Sequence, residues 1–314
     1  MSNLGIANVT NSEGRVADSL ADSLPSARSS SAATTVFRSI AGSPARAIAL
    51  LLLLMAVLAA LFAQLISPYD PLEIDIENRL IGPSLAHPLG TDEIGRDLLS
   101  NILYASRISL LVGFGASIFS VAIAVPLGTV SGLRGGWADV VIMRFTDGLL
   151  AIPSLLLALA LVTSLGASMR TLILAIGITL TPGMIRIIRA ESLSESGKDY
   201  VLSARAMGSS DIRILFRHLL PNTFSIILVQ ATISVTLAIL IEAFMSYVGL
   251  GIQPPKASLG TLISAGYGFA GLSFWYVTFP GLYIFLLIWT LNILGDALRD
   301  ALDPRLRGLA EAGK

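Results

Sequence analysis

One ionisable side chain lies at the end of a long apolar run, where it could act inside a membrane. Glu242 follows the charge-free run 224–241, and apolar residues continue beyond it through 244–250. A carboxylate at that depth is costly and usually faces a cavity or a partner group. It could line a transport pathway and meet a cationic amino terminus, or it could stabilise a gate through an ion pair or helix-end hydrogen bond, which we favour. Glu242 and Ser246 are therefore candidate pathway or gate residues.

The rest of the sequence offers little other chemistry. The chain has no cysteine and two histidines, His87 and His218, which are far apart in sequence. A zinc, iron–sulfur or disulfide framework is therefore not expected. The stretch Gly197-Lys198-Asp199 lacks the glycine spacing and the hydroxyl of a phosphate-binding loop. We expect no metal, cofactor or nucleotide site. The formal net charge of zero gives no indication of nucleic acid.

The composition indicates that the bilayer is the solvent around most of the chain. Of its 314 residues, 54% are hydrophobic and 13% are charged, with a mean hydropathy of +0.77; soluble domains carry about 25% charged residues. About 20 apolar residues in a helix cross the hydrocarbon core. The sequence therefore predicts an all-α, polytopic membrane protein with six transmembrane helices. The expected spans are 47–66, 108–133, 148–166, 168–188, 224–246 and 275–295.

The basic residues predict the orientation of these spans. Residues 1–46 lack a helical period and are expected to form a disordered cytoplasmic tail. With that tail inside, sixteen of the 21 Lys and Arg residues lie in cytoplasmic segments, as the positive-inside rule favours. Both termini, including 296–314, are then cytoplasmic, and the acidic segment 67–107 is an extracytoplasmic loop. Arg186 is expected to reach the headgroups or a wet interior.

The polar segment 189–223 has the pattern of two short helices. Its first helix is expected to end at Gly208, which is typical of a C-cap, and Ser209-Ser210-Asp211 supplies an N-cap for the second. Pro221 closes the unit before the fifth span. Such a unit could dock in a groove of a partner or rest on lipid. The apolar residues expected to share one face of the second helix are Ile212, Leu215, Phe216 and Leu219.

This segment resembles the cytoplasmic "EAA" loop of ABC importer permeases. That pattern is Glu-Ala-Ala, three residues, Gly, nine residues and Ile-x-Leu-Pro. Here Leu202-Ser203-Ala204 occupy its first three positions, followed by Gly208 and, at its end, His218 and Leu220-Pro221. The glutamate, the first alanine and the isoleucine are absent, but the spacing is intact.

Further motifs narrow the resemblance to the dipeptide/oligopeptide/nickel permease family, and to its second ("C"-type) subunit. Together with the loop they extend the resemblance from about residue 67 to 308. They are GTDEIGRD (90–97), SRISL (106–110), EAFMSYVGLGIQPP (242–255) and LGDALRDALDPRLR (294–307).

The resemblance implies the ABC type I importer permease fold in a bacterial inner membrane. The chain would form half of a channel for peptides or related small solutes, without catalytic activity. Its partners would be a second homologous permease, two ABC ATPases, an extracytoplasmic binding protein and membrane lipid. A helix at 200–207 would sit in an ATPase groove. The candidate coupling residues are Tyr200, Ala204, Arg205, Gly208, Asp211, Arg213 and Pro221.

Two alternative functions make different demands on the sequence. An ion-coupled secondary carrier acting alone needs ionisable groups or broken helices at the membrane midplane, and the spans carry charge only near Arg186 and Glu242. An intramembrane enzyme needs a catalytic set. The chain has no cysteine, no paired membrane aspartates and no Ser/His pair within one span.

Overall fold

The computed structural model describes residues 43–302, which form helices joined by loops. Within this range the one β-type pairing is an isolated bridge between Thr91 and Asp97. A short 3-10 turn covers Ile76–Asn78, and a π-helical turn covers Leu215–Leu219. The α-helices are α1 (Pro44–Leu61), α2 (Ala63–Ile66), α3 (Leu98–Arg134), α4 (Gly136–Leu150), α5 (Ser154–Leu165), α6 (Met169–Ser196), α7 (Asp199–Ala206), α8 (Asp211–Ile214), α9 (Leu220–Tyr247), α10 (Leu259–Tyr267) and α11 (Phe274–Leu302).

Five stretches of the described residues are long and apolar enough to cross a membrane. They are α1, α3, α6, the continuous helical stretch Asp211–Tyr247 that ends with α9, and α11. The pair α4 and α5 makes a sixth span if it is counted as one, although its two helices are bent by 87°. The fold class is therefore the predicted one: helical and polytopic.

The bend corrects the expectation of one continuous helix at 148–166. The helical backbone is interrupted at residues 151–153, the last of which is Pro153. Proline has no N–H to donate, and it disfavours helical backbone in the residue before it. Residues 148–150 therefore belong to α4, and α5 begins at Ser154. A count of charge-free residues does not detect such a break.

Other helices extend beyond the apolar runs. The N-terminus of α3 lies ten residues before the expected start of the second span, because Asp97 caps it by accepting from the Ser100 N–H at 2.8 Å. At the other end of the fold, α6 continues to Ser196, eight residues past 188. The tail expected at 1–46 lies outside the described residues except for 43–46, where α1 already begins at Pro44. Of the expected terminus 296–314, residues 296–302 belong to α11.

The helices α3 and α6 pack closely along their length because small residues meet at their contact. A Cβ placed on Gly132 would lie 2.7 Å from the Arg189 carbonyl oxygen, and one on Gly128 would lie 2.9 Å from the Ile188 Cβ. Towards the other end, a Cβ on Gly177 would lie 3.1 Å from the Ala116 carbonyl oxygen. Small residues let helices approach closely in lipid. The pair therefore connects the two ends of the protein as one packed unit.

The two ends of the molecule carry different structures. At one end, Leu133 of α3 packs with Val201, Ile214 and Leu219, so α7, α8 and the start of α9 gather there. At the other end, the start of α3 packs against α10 and the start of α11 through Leu98, Leu259 and Tyr276. We call these the α7 end and the α10 end.

Candidate functional site

The α7 end is built from two short helices separated by a glycine. Gly208 follows α7 with φ = +81°, a backbone conformation that suits glycine, and a Cβ there would meet nothing within 4 Å. The Gly208 N–H donates to the Arg205 carbonyl, and the Ser209 N–H donates to the Ala204 carbonyl, both at 3.0 Å. Ser210 then caps α8 by accepting from the Arg213 N–H at 3.4 Å.

The buried face that follows α8 differs from the predicted one. Ile212 and Phe216 are 67% and 65% exposed, whereas Ile214 and Leu219 are fully buried. The prediction assumed the α-helical period, but residues 215–219 form a π-helical turn. Since such a turn bonds each residue to the fifth along, the side chains at 214 and 219 share a face. Of the predicted apolar face, Leu215 and Leu219 pack in this core, and the prediction was wrong for Ile212 and Phe216.

The helix α7 rests on this core with one side and exposes apolar residues on the other. Val201 and Ala204 are buried, while Leu202 and Met207 are 49% and 80% exposed. Contiguous exposed apolar area on a protein often marks an interaction site. We call the exposed residues Leu202, Met207, Ile212 and Phe216 the α7 surface. Leu202 stands where the EAA pattern has glutamate, so this position is apolar here.

A buried carboxylate ties α7 to two spans. Glu195, near the end of α6, is 5% exposed and accepts hydrogen bonds from the Tyr200 hydroxyl and the Lys198 ammonium. The Tyr200 oxygen also accepts from Asn222 Nδ2, on α9, at 3.1 Å, and the Tyr200 ring lies 5.9 Å from the His218 ring. We call Glu195, Lys198, Tyr200 and Asn222 the Glu195 cluster. It joins α6, α7 and α9 through side chains.

Tyr200 remains a hydrogen-bond donor under physiological conditions. Partial burial, together with its hydrogen bond to the Glu195 carboxylate, raises the pKa of Tyr200 to about 12. An anionic phenol would lie against a carboxylate, so the neutral form is favoured. The hydroxyl can therefore donate to Glu195 and accept from Asn222 at the same time.

The other predicted coupling residues lie around α7. The Arg205 guanidinium donates to the Leu133 carbonyl at 3.4 Å, and Asp211 accepts from Arg134 of α3 at 3.1 Å. Arg213 is exposed, and Pro221 occupies the first turn of α9. The structure thus gathers the predicted residues at one end of the molecule.

A second set of charges lies between α4 and α6. Arg189 donates twice to Asp139, with Nη2 to Oδ2 at 2.6 Å, and Ser131 donates to the same carboxylate. Arg186, expected at the headgroups or in a wet interior, donates to Asp147 at 2.6 Å. These ion pairs hold the bent α4 against α6. A bidentate pair between guanidinium and carboxylate adds orientation as well as energy.

The carboxylate of Glu242 lies inside the protein towards the α10 end. It is fully buried, and its two oxygens accept from Ser109 of α3 and from Ser246, each at 2.7 Å. Close backbone contacts surround it, since a Cβ on Gly260 would lie 2.2 Å from the Ala243 carbonyl oxygen. Both oxygens are thus used within this chain. The geometry supports a role in holding α3 against α9 over a role in lining the pathway.

The two histidines lie at opposite ends. His87 is hydrogen-bonded to Asp97 at 3.0 Å and stacked on Tyr69, while His218 packs on Tyr200. Among residues 43–302 no group of three or more His, Cys, Asp or Glu side chains could hold a metal ion.

Comparison with known proteins identifies the family. The family described as "Binding-protein-dependent transport system inner membrane component" matches residues 124–308. The dipeptide transport system permease protein DppC of Haemophilus influenzae is 41% identical over 251 residues, covering 78% of this chain and 85% of that protein. The oligopeptide transport system permease protein OppC of Bacillus subtilis is 40% identical, with 78% and 80% covered. The chain belongs to this permease family.

A solved structure shares the fold of the permease. An inward-facing form of the MetNI methionine ABC transporter superposes with a TM-score of 0.54 at 19% identity, covering 65% of this chain and 97% of that chain.

The protein is a multi-pass inner-membrane permease subunit of an ATP-driven importer, and it has no catalytic role of its own. Membership implies ATPase partners. Nothing in these similarities supports an ion-coupled carrier acting alone.

Sequence reasoning missed several residues of the α7 end. Glu195 and Asn222 lie 27 positions apart and meet through Tyr200. Asn222 directly follows Pro221 of the motif, but the pattern did not connect it with Glu195. Asp139 and Arg189 are 50 positions apart. The one sequence feature that could have pointed to Glu195 is its place shortly after an apolar span.

We expect Tyr200→Phe to lower the amount of solute transported per ATP hydrolysed, because the ring remains while the bonds to Glu195 and Asn222 are lost. Uptake and ATP hydrolysis are measured in parallel on the reconstituted importer. Tyr69→Phe, at the α10 end, is the matched control, since the Tyr69 hydroxyl also donates a hydrogen bond, to the Ala86 carbonyl at 3.1 Å. An unchanged ratio for Tyr200→Phe would show that the cluster does not transmit force.

We expect Glu242→Gln to leave the solute selectivity of uptake unchanged and to lower the thermal stability of the permease. Weakening charge-assisted hydrogen bonds to a buried group costs about 1–3 kcal/mol. Competition uptake with cationic and neutral peptides measures selectivity, and thermal unfolding in detergent measures stability. A selective loss of uptake of the cationic peptide at unchanged stability would instead place Glu242 in the pathway.

Proposed function

We propose that this permease forms half of a translocation channel for peptides or chemically related small solutes, and that two ATPases drive it through the α7 surface. The exposed apolar α7 surface, held to two spans by the Glu195 cluster, carries the proposal. Two named relatives transport dipeptides and oligopeptides, and a third, GsiD of Pectobacterium atrosepticum, belongs to a glutathione transport system. Short peptides are the chemistry that these three share.

The other half of the channel is a second, homologous permease, and an extracytoplasmic binding protein delivers the solute. The α7 end faces the cytoplasm, with both termini on that side. The positive-inside rule supports this orientation, since the helices that gather there and the turn between α6 and α7 carry Arg134, Arg186, Arg189, Lys198 and Arg205. The α10 end then faces the outside.

ATPase closure moves α7, and the Glu195 cluster passes that movement to the spans. Tyr200 carries it to Glu195 of α6 and to Asn222 of α9. Because α6 is packed closely on α3, these helices move together. The ion pair between Asp139 and Arg189 makes α4 follow α6. Rocking one packed unit against another is the usual basis of alternating access.

At the α10 end, the hydrogen bonds of Glu242 keep α3 and α9 together during this movement. Ser109 and Ser246 occupy both carboxylate oxygens. We infer that Glu242 and Ser246 stabilise the outer part of the bundle, while other groups meet the solute.

The test is Gly208→Arg in the importer reconstituted with its ATPases and binding protein. We expect normal insertion, because the site is open, but uptake of a labelled dipeptide reduced at least about tenfold while ATP hydrolysis continues. A positive φ disfavours arginine, and the added bulk obstructs the docked surface.

Two controls accompany this variant. Gly208→Asn introduces a side chain that tolerates positive φ and should keep much of the uptake. Gly166→Arg places the same charge at another exposed glycine of positive φ that is open in the structure, between α5 and α6, away from the α7 end, and should transport normally. Normal uptake by Gly208→Arg would contradict the coupling role of this segment.

A further inference from the structure

Gln230 of α9 holds an amide at membrane depth without a hydrogen-bond partner. The residue is half-buried, and its side chain makes no hydrogen bond to any other described residue. It lies within the charge-free run 224–241, about 9 Å from one end of that run and about 17 Å from the other. Thr232 of the same helix differs, because its hydroxyl donates to the Val229 carbonyl at 2.7 Å. Since hydrocarbon offers an amide no partner, Gln230 must meet water, another chain or a solute.

Gln230 points away from α11. A Cβ on Gly295 of α11 would lie 2.9 Å from Oγ1 of Thr232, so α11 packs on the Thr232 side of α9. Residues two apart in an α-helix lie on nearly opposite sides, because each residue turns the helix by about 100°. The amide of Gln230 is therefore on the side of α9 that α11 leaves open.

A narrow open strip continues from Gln230 along α9. It proceeds in alternating steps of three and four residues, and its members, which we call the α9 seam, are 41–51% exposed: Ile233, Leu237, Leu240 and Phe244. Every other residue from 234 to 243 is buried. Neighbouring elements thus enclose α9 except along a strip one residue wide. A helix at the lipid boundary exposes a broad face, as α1 does, so the α9 seam suits the inside of the importer.

There is open space on α6 at the depth of Gln230. Ile185 of α6 packs with Ile227 of α9, and the two helices run in opposite directions. Gly183 and Gln230 therefore both lie slightly further from the α7 end than this contact, at a similar depth. A Cβ on Gly183 would meet nothing within 4 Å. An unpaired amide and open space thus occur together near the middle of the bundle.

The chemistry of a carboxamide matches the part that all peptides share. A glutamine side chain carries both a donor and an acceptor, as a peptide bond does, so it can pair with a peptide backbone whatever the side chains are. Ligand sites are mostly apolar with a few placed polar groups, and solute sites in transporters lie near the membrane midplane. The α9 seam supplies aliphatic contacts that suit solutes with varied side chains.

We propose that Gln230 lies on the solute pathway and that its amide hydrogen-bonds the peptide backbone of the passing solute. The α9 seam contacts the side chains of that solute. This inference rests on the proposed function, because it takes the solute to be a peptide.

Thiol labelling tests whether Gln230 faces water. The natural chain has no cysteine, so Gln230→Cys gives it a single thiol. In the complete importer in nanodiscs, a charged methanethiosulfonate reagent should modify Gln230→Cys at least about tenfold faster than Leu58→Cys, because a thiol reacts as its thiolate, which needs water. Leu58 is 41% exposed on α1 and serves as the comparison at the lipid boundary. The mass of this chain reports the modification, and equal rates would overturn the proposal.

Uptake of a labelled dipeptide by the reconstituted importer tests the contact itself. For Gln230→Leu we expect the maximal rate of uptake to fall about threefold to tenfold, which corresponds to the loss of one hydrogen bond. Gln230→Asn keeps an amide and should retain more of the rate. Gln64→Leu is the matched control, since Gln64 is an exposed glutamine in α2, at the end of the first span, and its uptake should be unchanged.

Three results of the uptake experiment would overturn the proposal. The first is a fall of less than about twofold for Gln230→Leu, below what one hydrogen bond contributes. The second is an equal fall for Gln64→Leu. The third is loss of the second permease from the purified Gln230→Leu importer, because the amide would then join two permeases. If the wild-type importer takes up no dipeptide, the proposed function itself fails.

Discussion

The hydrocarbon core offers no water to hydrogen-bond, and the placement of polar groups in this permease follows from that constraint. Several hydroxyls within the spans bond back to their own helices, as Thr179 does to the Ala175 carbonyl and Thr181 to the Gly177 carbonyl, each at 2.7 Å. Ser117 of α3 instead donates to the Ala231 carbonyl of α9 at 3.0 Å. Carboxylates lie towards the helix ends and are matched there by named partners. Asp139 has Arg189, Glu195 has Tyr200, and Glu242 has two serines.

The same constraint explains how movement can pass through an apolar bundle. Between its ends the described bundle is held mainly by packing, and α3 and α6 meet at glycines that let their backbones approach closely. At the α7 end, side-chain hydrogen bonds and ion pairs also fix which residues of neighbouring helices lie against each other. In the mechanism we propose, a displacement of α7 reaches α6 and α9 at two fixed points, which a contact made only of apolar side chains would specify less well.

Composition and motif spacing were sufficient to predict the helical, polytopic fold and the family. They fail where one residue changes the backbone or where partners are far apart in sequence. Pro153 breaks an apolar run that looks continuous, and the π-helical turn at 215–219 rotates the buried face from Ile212 to Ile214. Ser109 and Glu242 meet across 133 positions. No local sequence pattern predicts such a pair, because the two residues come together only when their helices pack.

The central claim is that an ATPase binds the α7 surface, and site-directed cross-linking in native membranes tests it most directly. The natural chain has no cysteine, so Met207→Cys places a single thiol on the α7 surface, and Phe145→Cys, at a residue 74% exposed on α4, serves as the comparison. The account predicts that a short thiol–amine cross-linker joins Met207→Cys, but not Phe145→Cys, to an ATPase subunit identified by mass spectrometry. Equal labelling of both positions, or no ATPase on Met207→Cys while ATP-driven uptake continues, would contradict it.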